Sequence, residues 1–230
     1  FAGGAETSAA HEEADRSVSL GFFLDVSLLQ LTIVMMAPLI IACLGEIIIE
    51  RAGILNVGIE GMVTVGSVAG FLGVFMTGSH FLGCLIAMAA GGLLSLLLAY
   101  FSIALRANQI VVGLGIFVLG LGLSPLSYRL AVGVVQSPPQ VKTLPEIAVP
   151  LLAHIPYLGP VFFRQNALVY LAYFLVAAAG FFLFKTPLGL RLRSCGENPR
   201  AADSLGIGVT AMRYGACIAG GLFFGLAGAY

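Results

Sequence analysis

The sequence predicts an all-α polytopic membrane protein, a helical bundle of at least five full transmembrane spans, a truncated sixth span and a short cytoplasmic helix. Three observations carry that expectation. Hydrophobic residues make up 59% of the 230 positions and charged residues only 10%, whereas a soluble domain needs about a quarter charged residues to cover its surface. The stretches 26–45 and 61–105 contain no Asp, Glu, Lys or Arg, and about 20 apolar residues suffice to cross the roughly 30 Å hydrocarbon core. The apolar runs are continuous rather than alternating, which excludes the pattern of a membrane β-barrel.

The first span is expected at about 26–45 and the second at about 60–77, with a tight turn at Gly78-Ser79-His80. The third runs over 81–105 and the fourth over 109–128, ending near Tyr128-Arg129. A loop of about 35 residues follows, in which Pro138, Pro139, Pro145, Pro150, Pro156 and Pro160 exclude one continuous helix, although Ile147 to Ile155 can form a short interfacial piece. The fifth span covers 166–184, and the sixth starts near 210. Residues 1–25 form a polar acidic tail, with Glu6, Glu12, Glu13, Asp15 and Asp25 against Arg16; they lack the basic start and apolar core of a signal peptide. The membrane domain is expected to cover 26–230, and a first residue other than Met, with an apolar run up to Tyr230, reads as a fragment whose C-terminal spans lie beyond it.

Basic residues near span ends set the orientation. Lys185, Arg191, Arg193 and Arg200 cluster in one loop, which places 185–209 in the cytoplasm. Counting spans backward puts the loops near 46–58 and 106–108 on the same side and the N-terminal tail outside. The neutral balance of 11 basic and 11 acidic residues carries no basic patch for nucleic acid. Cys43, Cys84, Cys195 and Cys217 form no C-x-x-C pair and His11, His80 and His154 are scattered, so neither a metal site nor a disulfide framework is expected. No cofactor is called for.

Small residues recur every four positions at Gly66 and Gly70, at Gly83, Ala87 and Gly91, and at Gly221 and Gly225, a spacing that lets helix backbones approach. Gly66, Gly70, Gly83, Gly91, Gly221 and Gly225 are therefore expected packing residues.

Two polar inserts stand out. The first, from Gly45 to Gly61, holds Glu46, Glu50, Arg51 and Glu60. A charge facing lipid at the bilayer centre costs about 2.5–3.5 kcal/mol, so these four cannot all lie there unpaired. Either the segment is a solvated cytoplasmic loop, or the helix breaks at Gly53 and Gly58 and its freed backbone lines a polar cavity. Composition leaves both open. Asn56 and Glu60 are four apart and would share a face if the helix restarts there. The second insert runs from Thr186 to Ile207. Within it Asn198 reads as an N-cap, Pro199 as the first helical position and Gly206 as the stop.

Three stretches carry a family resemblance: Glu46-Ile-Ile-Ile-Glu50-Arg51-Ala-Gly53-Ile-Leu-Asn56-Val-Gly58-Ile-Glu60-Gly61-Met62, Asn108-Gln109-Ile110-Val111-Val112-Gly113-Leu114, and Thr186-Pro-Leu-Gly-Leu-Arg-Leu-Arg193 followed by Gly196-Glu197-Asn198-Pro199-x-Ala201-Ala202 and Gly206-Ile207. In this order they resemble the permease subunits of bacterial ATP-binding cassette importers, the branched-chain amino acid/ribose-type permeases, in their simple sugar and nucleoside branch. The resemblance implies a subunit of the bacterial inner (plasma) membrane that pairs with a second permease copy or paralogue. ABC ATPase subunits would dock from the cytoplasm and an extracytoplasmic substrate-binding protein from outside. It further implies that Glu197, Asn198, Pro199, Ala201, Ala202, Asp203 and Gly206 form a helix coupled to the ATPase. Asn56, Gly58, Glu60, Asn108 and Gln109 would then lie along the translocation pathway of a nucleoside or simple sugar.

The chain itself is not expected to be an enzyme. Lys142-Thr143 and Lys185-Thr186 are preceded by Val141 and Phe184, not by the Gly of a phosphate-binding loop. Energy would come from a partner chain or an ion gradient. The alternatives are an ion-coupled transporter using Glu46, Glu50 or Glu60, and an ATP-driven permease for branched-chain amino acids; a membrane scaffold without transport is a third class.

Overall fold

The computed structural model describes residues 26–133, 145–148 and 158–230. The acidic tail, His11, Lys142, His154 and most of the Pro-rich loop lie outside the described residues, including all of the expected interfacial piece beyond Ala148. Among the described residues six helices are long and apolar enough to cross a membrane. They are α1 (Val26–Arg51), α2 (Ile59–Thr77), α3 (His80–Ala99, continued by a π-turn over Tyr100–Ala104), α4 (Gln109–Val132), α6 (Ala167–Lys185) and α9 (Val209–Ala229). Between them lie β1 (Glu146–Ala148), α5 (Leu158–Phe163), β2 (Arg164–Asn166), α7 (Pro187–Glu197) and α8 (Pro199–Ser204).

Two findings adjust the boundaries. α1 extends past the expected end at 45 through Glu46, Glu50 and Arg51, so the charges of the first insert ride on its last turns. The sixth span, expected to start near 210 and to be truncated, is a 21-residue helix, Val209–Ala229. It begins before Arg213 because that guanidinium is satisfied internally, by the carbonyl of Ala52 at 3.1 Å.

The described residues divide into two compact units, one of 26–36, 145–148 and 158–170, the other of 37–133 and 171–230. In the first, β1 and β2 pair antiparallel with Ile147 opposite Gln165. This short ladder is the strand content of the described residues and replaces helix where the prolines had excluded it. The Tyr170 hydroxyl donates to the Ile147 carbonyl at 2.9 Å, and Gln30 donates to the Arg164 carbonyl at 3.3 Å.

The second unit is built on α2, α3 and α9. Their close faces carry almost no side chain. A Cβ on Gly66 would sit 2.8 Å from the Cα of Gly225, and one on Gly91 would collide with the Gly221 carbonyl and the Gly225 amide. One on Gly225 would strike the Ala87 carbonyl. Gly70 packs on Ala229 and Ala87, and Gly83 on Val74. Without a hydrophobic drive between helices in lipid, such backbone-to-backbone contact supplies the dispersion that holds a bundle. A hydrogen bond from the Ser95 hydroxyl to the Cys217 carbonyl, 2.5 Å, ties α3 to α9 beside these glycines. Around them Ile49, Ile54, Met62, Leu98, Ile116 and Phe224 form the core.

Helix ends follow local rules. Ser79 caps α3, Asn108 caps α4 through Ile110 and Val111, Thr186 caps α7 through Gly189, and Asn198 caps α8 through Ala201. α7 covers a stretch the sequence suggested only as loop.

Gly225→Leu should drive a side chain into Ala87 and destabilise the protein by about 1–3 kcal/mol. Thermal unfolding of the purified protein in detergent should show a clear drop, whereas Gly122→Ala, whose Cβ meets nothing within 4 Å, should leave the transition in place. An unchanged transition for Gly225→Leu would remove the glycine faces from the account of stability.

Candidate functional site: a braced helix break and a capped elbow at one end of the bundle

Residues 52–58 leave α1 and enter α2 without helix, so their backbone groups need partners from elsewhere. α1 stops at Gly53, whose φ of +82° is the left-handed conformation that terminates helices. The Gly53 amide donates to the Glu50 carbonyl and the Ile54 amide to the Ile49 carbonyl, the paired bonds of a Schellman end, and Ile54 and Ile49 pack together in the core. A side chain at Gly53 would also meet the Cα of Gly196 at 3.0 Å. The break and the loop bearing the second insert are thus in direct contact.

Beyond Gly53 the segment is held by side chains. Asn56 is buried, 4% exposed. Its backbone amide donates to one oxygen of Glu46 at 3.3 Å and its side-chain amide to the other at 3.2 Å. Its own carbonyl oxygen accepts from the Gly58 amide at 2.9 Å. Glu46 thereby acts as a two-pronged acceptor projecting from α1, and Asn56 spends donors and acceptor on fixing the chain reversal. Gln109, at the first turn of α4, accepts from the Leu55 amide at 2.8 Å. Arg213, on α9, donates to the Ala52 carbonyl. Three helices therefore reach into one short segment, and Gly58 lies flush on α4, where a Cβ would sit 2.9 Å from the Gly113 carbonyl.

Of the five pathway residues expected from sequence, the structure brings Asn56, Gly58 and Gln109 together. Asn108 sits beside them as the α4 cap. Glu60 does not join them. It is exposed in the first turn of α2, while Asn56 lies before that helix begins at Ile59, so the two do not share a helical face. Of the two expected break points, Gly53 takes the unusual backbone angle and Gly58 does not. Glu50 and Arg51 are exposed too. The sequence marks Glu46 as one of the charges that need a partner and as an alternative ion site, and it gives Arg213 no role; the signal for Arg213 is that a charge within an apolar helix needs an internal partner.

The second insert forms an elbow of α7 and α8. Asn198 ends α7 and caps α8, its side-chain oxygen accepting from Ala201 at 3.1 Å. α8 closes on Gly206, φ +76°, with bonds from Gly206 to Asp203 and from Ile207 to Ala202. Leu192 and Cys195 face inward beneath α7, and burial pushes the Cys195 thiol above its ordinary value. Ala202 also points inward at 2% exposure. Glu197, Ala201, Asp203 and Gly206 are exposed, and Leu205, which the sequence had not singled out, stands 79% exposed beside them. An exposed leucine at the tip of a rigidly capped turn is the kind of group that seats in a partner's pocket.

Among the described residues no group of three or more His, Cys, Asp or Glu is placed to hold a metal ion. The arrangement offers positioned amides, one clamped carboxylate and a protruding elbow, which suit conformational coupling rather than bond chemistry.

Comparison with known proteins bears on this end of the bundle. A putative glucose ABC transporter permease protein, TsgC13 of Haloferax volcanii, is 39% identical over 207 residues, covering 88% of this chain and 61% of its own length. The guanosine ABC transporter permease protein NupQ of Bacillus subtilis is 41% identical over 207 residues, 86% of this chain and 64% of its own. The nucleoside ABC transporter permease protein NupC of Lactococcus lactis is 38% identical over 201 residues, 84% and 62%. The chain spans a little over three fifths of the length of these curated relatives. No solved structure matches it. A family model described as branched-chain amino acid transport system / permease component matches residues 28–230, taking in the six spanning helices almost entire, the braced break and the elbow. The chain belongs to the branched-chain amino acid transport system / permease component family.

Proposed function

We propose that this chain is part of the permease subunit of an ATP-binding cassette importer that carries a nucleoside or simple sugar across a bacterial inner membrane. The observation that carries the reading is the joining of the α7–α8 elbow to the braced break through the contact of Gly196 with Gly53, in a chain whose relatives are named as permeases for glucose, guanosine and nucleosides. A push on the elbow reaches residues 52–58 directly, and from there α1, α2, α4 and α9 through Glu46, Gly58, Gln109 and Arg213.

In this reading the elbow faces the cytoplasm, where the basic residues of 185–200 belong, and the acidic tail faces outside. ATPase subunits dock on α8 and Leu205, a second permease subunit completes the pathway, and a binding protein delivers substrate from the opposite side. ATP-driven approach of the ATPases moves α8, shifts the 52–58 segment and rocks the helices around the pathway, the alternating-access logic of transporters. Asn56, Glu46 and Gln109 hold the segment in one of its two positions. The ion-coupled alternative draws no comparable support, since Glu50 and Glu60 are exposed and both oxygens of Glu46 accept from Asn56.

Nucleoside uptake by the complete transporter, reconstituted with its ATPase and binding protein, tests the pathway assignment. Asn56→Ala keeps the backbone bond to Glu46 but removes the side-chain donor to its other oxygen and the acceptor of the Gly58 amide, a loss of about 1–3 kcal/mol per buried group left unpaired, and should reduce uptake at least several-fold while the subunits still co-purify. Normal uptake from both Asn56→Ala and Gln109→Ala would return the segment to a passive connector.

Capture of the ATPase on the immobilised permease tests the elbow. Leu205→Glu places a charge where a partner pocket is expected and should abolish capture without lowering the permease's melting temperature. Retained capture would remove Leu205 from the docking surface, and uptake by the permease alone, driven by an ion gradient in liposomes, would remove the ATP-coupled reading.

A further inference from the structure

An apolar groove of about 210 Å³ lies at the foot of the elbow, lined by Ile48 of α1, Phe182 of α6, Leu188 and Leu192 of α7, and Met212 and Gly215 of α9, among others. Its depth in a membrane follows from its neighbours. α6 is a spanning helix that ends at Lys185, and α7 begins at Pro187, so α7 lies where hydrocarbon gives way to headgroups.

α7 suits that level. Leu192 and Cys195 are buried under it, yet Leu188 and Leu190 remain 54% and 60% exposed. Exposed leucines interleaved with Arg191 and Arg193 are unfavourable in plain water and favoured at a bilayer boundary. Arg191 stands one turn beyond Leu188 and next to Leu192, the two residues α7 contributes to the groove wall. Lys185, Arg191 and Arg193 follow one another with no carboxylate before Glu197. The Arg193 guanidinium lies 5.1 Å from the centre of the Phe184 ring, and its Nε is buried without a hydrogen-bond partner among the described residues. A basic cluster beside a dry hydrocarbon slot, at headgroup level, matches one chemistry: an anionic diacyl lipid.

We propose that this groove binds an anionic phospholipid, with an acyl chain between α7 and α9 and the phosphate held by Arg191 and Lys185. Arg193, turned by Phe184, supplies a further donor at the headgroup. The charge complementarity selects an anionic over a zwitterionic headgroup, and the apolar wall selects a lipid over a soluble phosphate. The bound lipid fills the gap beside α7, so it steadies the elbow; this role is independent of which substrate is carried.

The test uses the complete transporter, with native mass spectrometry reading bound lipid after titration with phosphatidylglycerol or phosphatidylcholine. The unaltered protein should retain phosphatidylglycerol preferentially. The double variant Lys185→Gln/Arg191→Gln should bind it about 30-fold more weakly, at about 1 kcal/mol per basic residue and 1.36 kcal/mol per tenfold. Gly215→Leu is the second variant, because a Cβ there meets nothing within 4 Å and the side chain can enter the groove with every charge kept. It should displace the lipid while circular dichroism and size-exclusion chromatography report an intact fold, so a folding failure of the double variant still leaves a decisive measurement. Equal retention of the two lipids by the unaltered protein, or phosphatidylglycerol binding unchanged by Gly215→Leu, would overturn the proposal. Loss of ATPase capture in the double variant with lipid binding intact would also overturn it and assign the basic face to the protein partner.

Discussion

A stretch of non-helical backbone at the end of an apolar bundle cannot leave its amides and carbonyls unpaired, and that requirement organises this protein. Residues 52–58 have neither helix nor sheet to satisfy them. Each neighbouring helix therefore lends a polar side chain: Glu46 from α1, Gln109 from α4 and Arg213 from α9. The helices cannot move independently of the segment without breaking those bonds. A connection that in a soluble protein would be a solvated loop here becomes the point where four helices are fastened.

The glycine faces of α2, α3 and α9 supply the complementary rigidity. Because Gly66, Gly91, Gly221 and Gly225 bring backbone against backbone, these helices have little room to slide or rotate. At the polar end, hydrogen bonds with Glu46, Gln109 and Arg213 join the close contacts of Gly53 and Gly58 in fixing the segment. The elbow of α7 and α8 abuts that end through Gly196, and its caps at Thr186, Asn198 and Gly206 make it a stiff element able to transmit displacement. The structure thus joins a close-packed bundle, a hydrogen-bonded joint and a capped elbow.

Much of this was legible in the chain. The absence of charge over 26–45 and 61–105 marked spans because lipid tolerates few alternatives, and the Asn198-Pro199 start with the Gly206 stop located α8 because capping is a local property. The four-residue spacing of small residues marked the helix faces that now meet. Other features were not legible. α7 was hidden because its apolar and basic residues alternate over a short stretch, which reads equally well as loop. Asn56 and Glu60 could share a face only if the helix restarted by Asn56, and spacing could not show that it restarts at Ile59, between them.

By itself the sequence determined the number and placement of the apolar helices, the cap and stop of α8 and the existence of two polar inserts, since each depends on neighbouring residues and on the cost of charge in hydrocarbon. Only the tertiary structure decided what the first insert is. Glu46 meets Asn56 across ten positions, Gln109 meets Leu55 across fifty-four and Arg213 meets Ala52 across one hundred and sixty-one. No local pattern encodes partners so far apart, because which side chain fills an unmet backbone bond depends on how the helices pack.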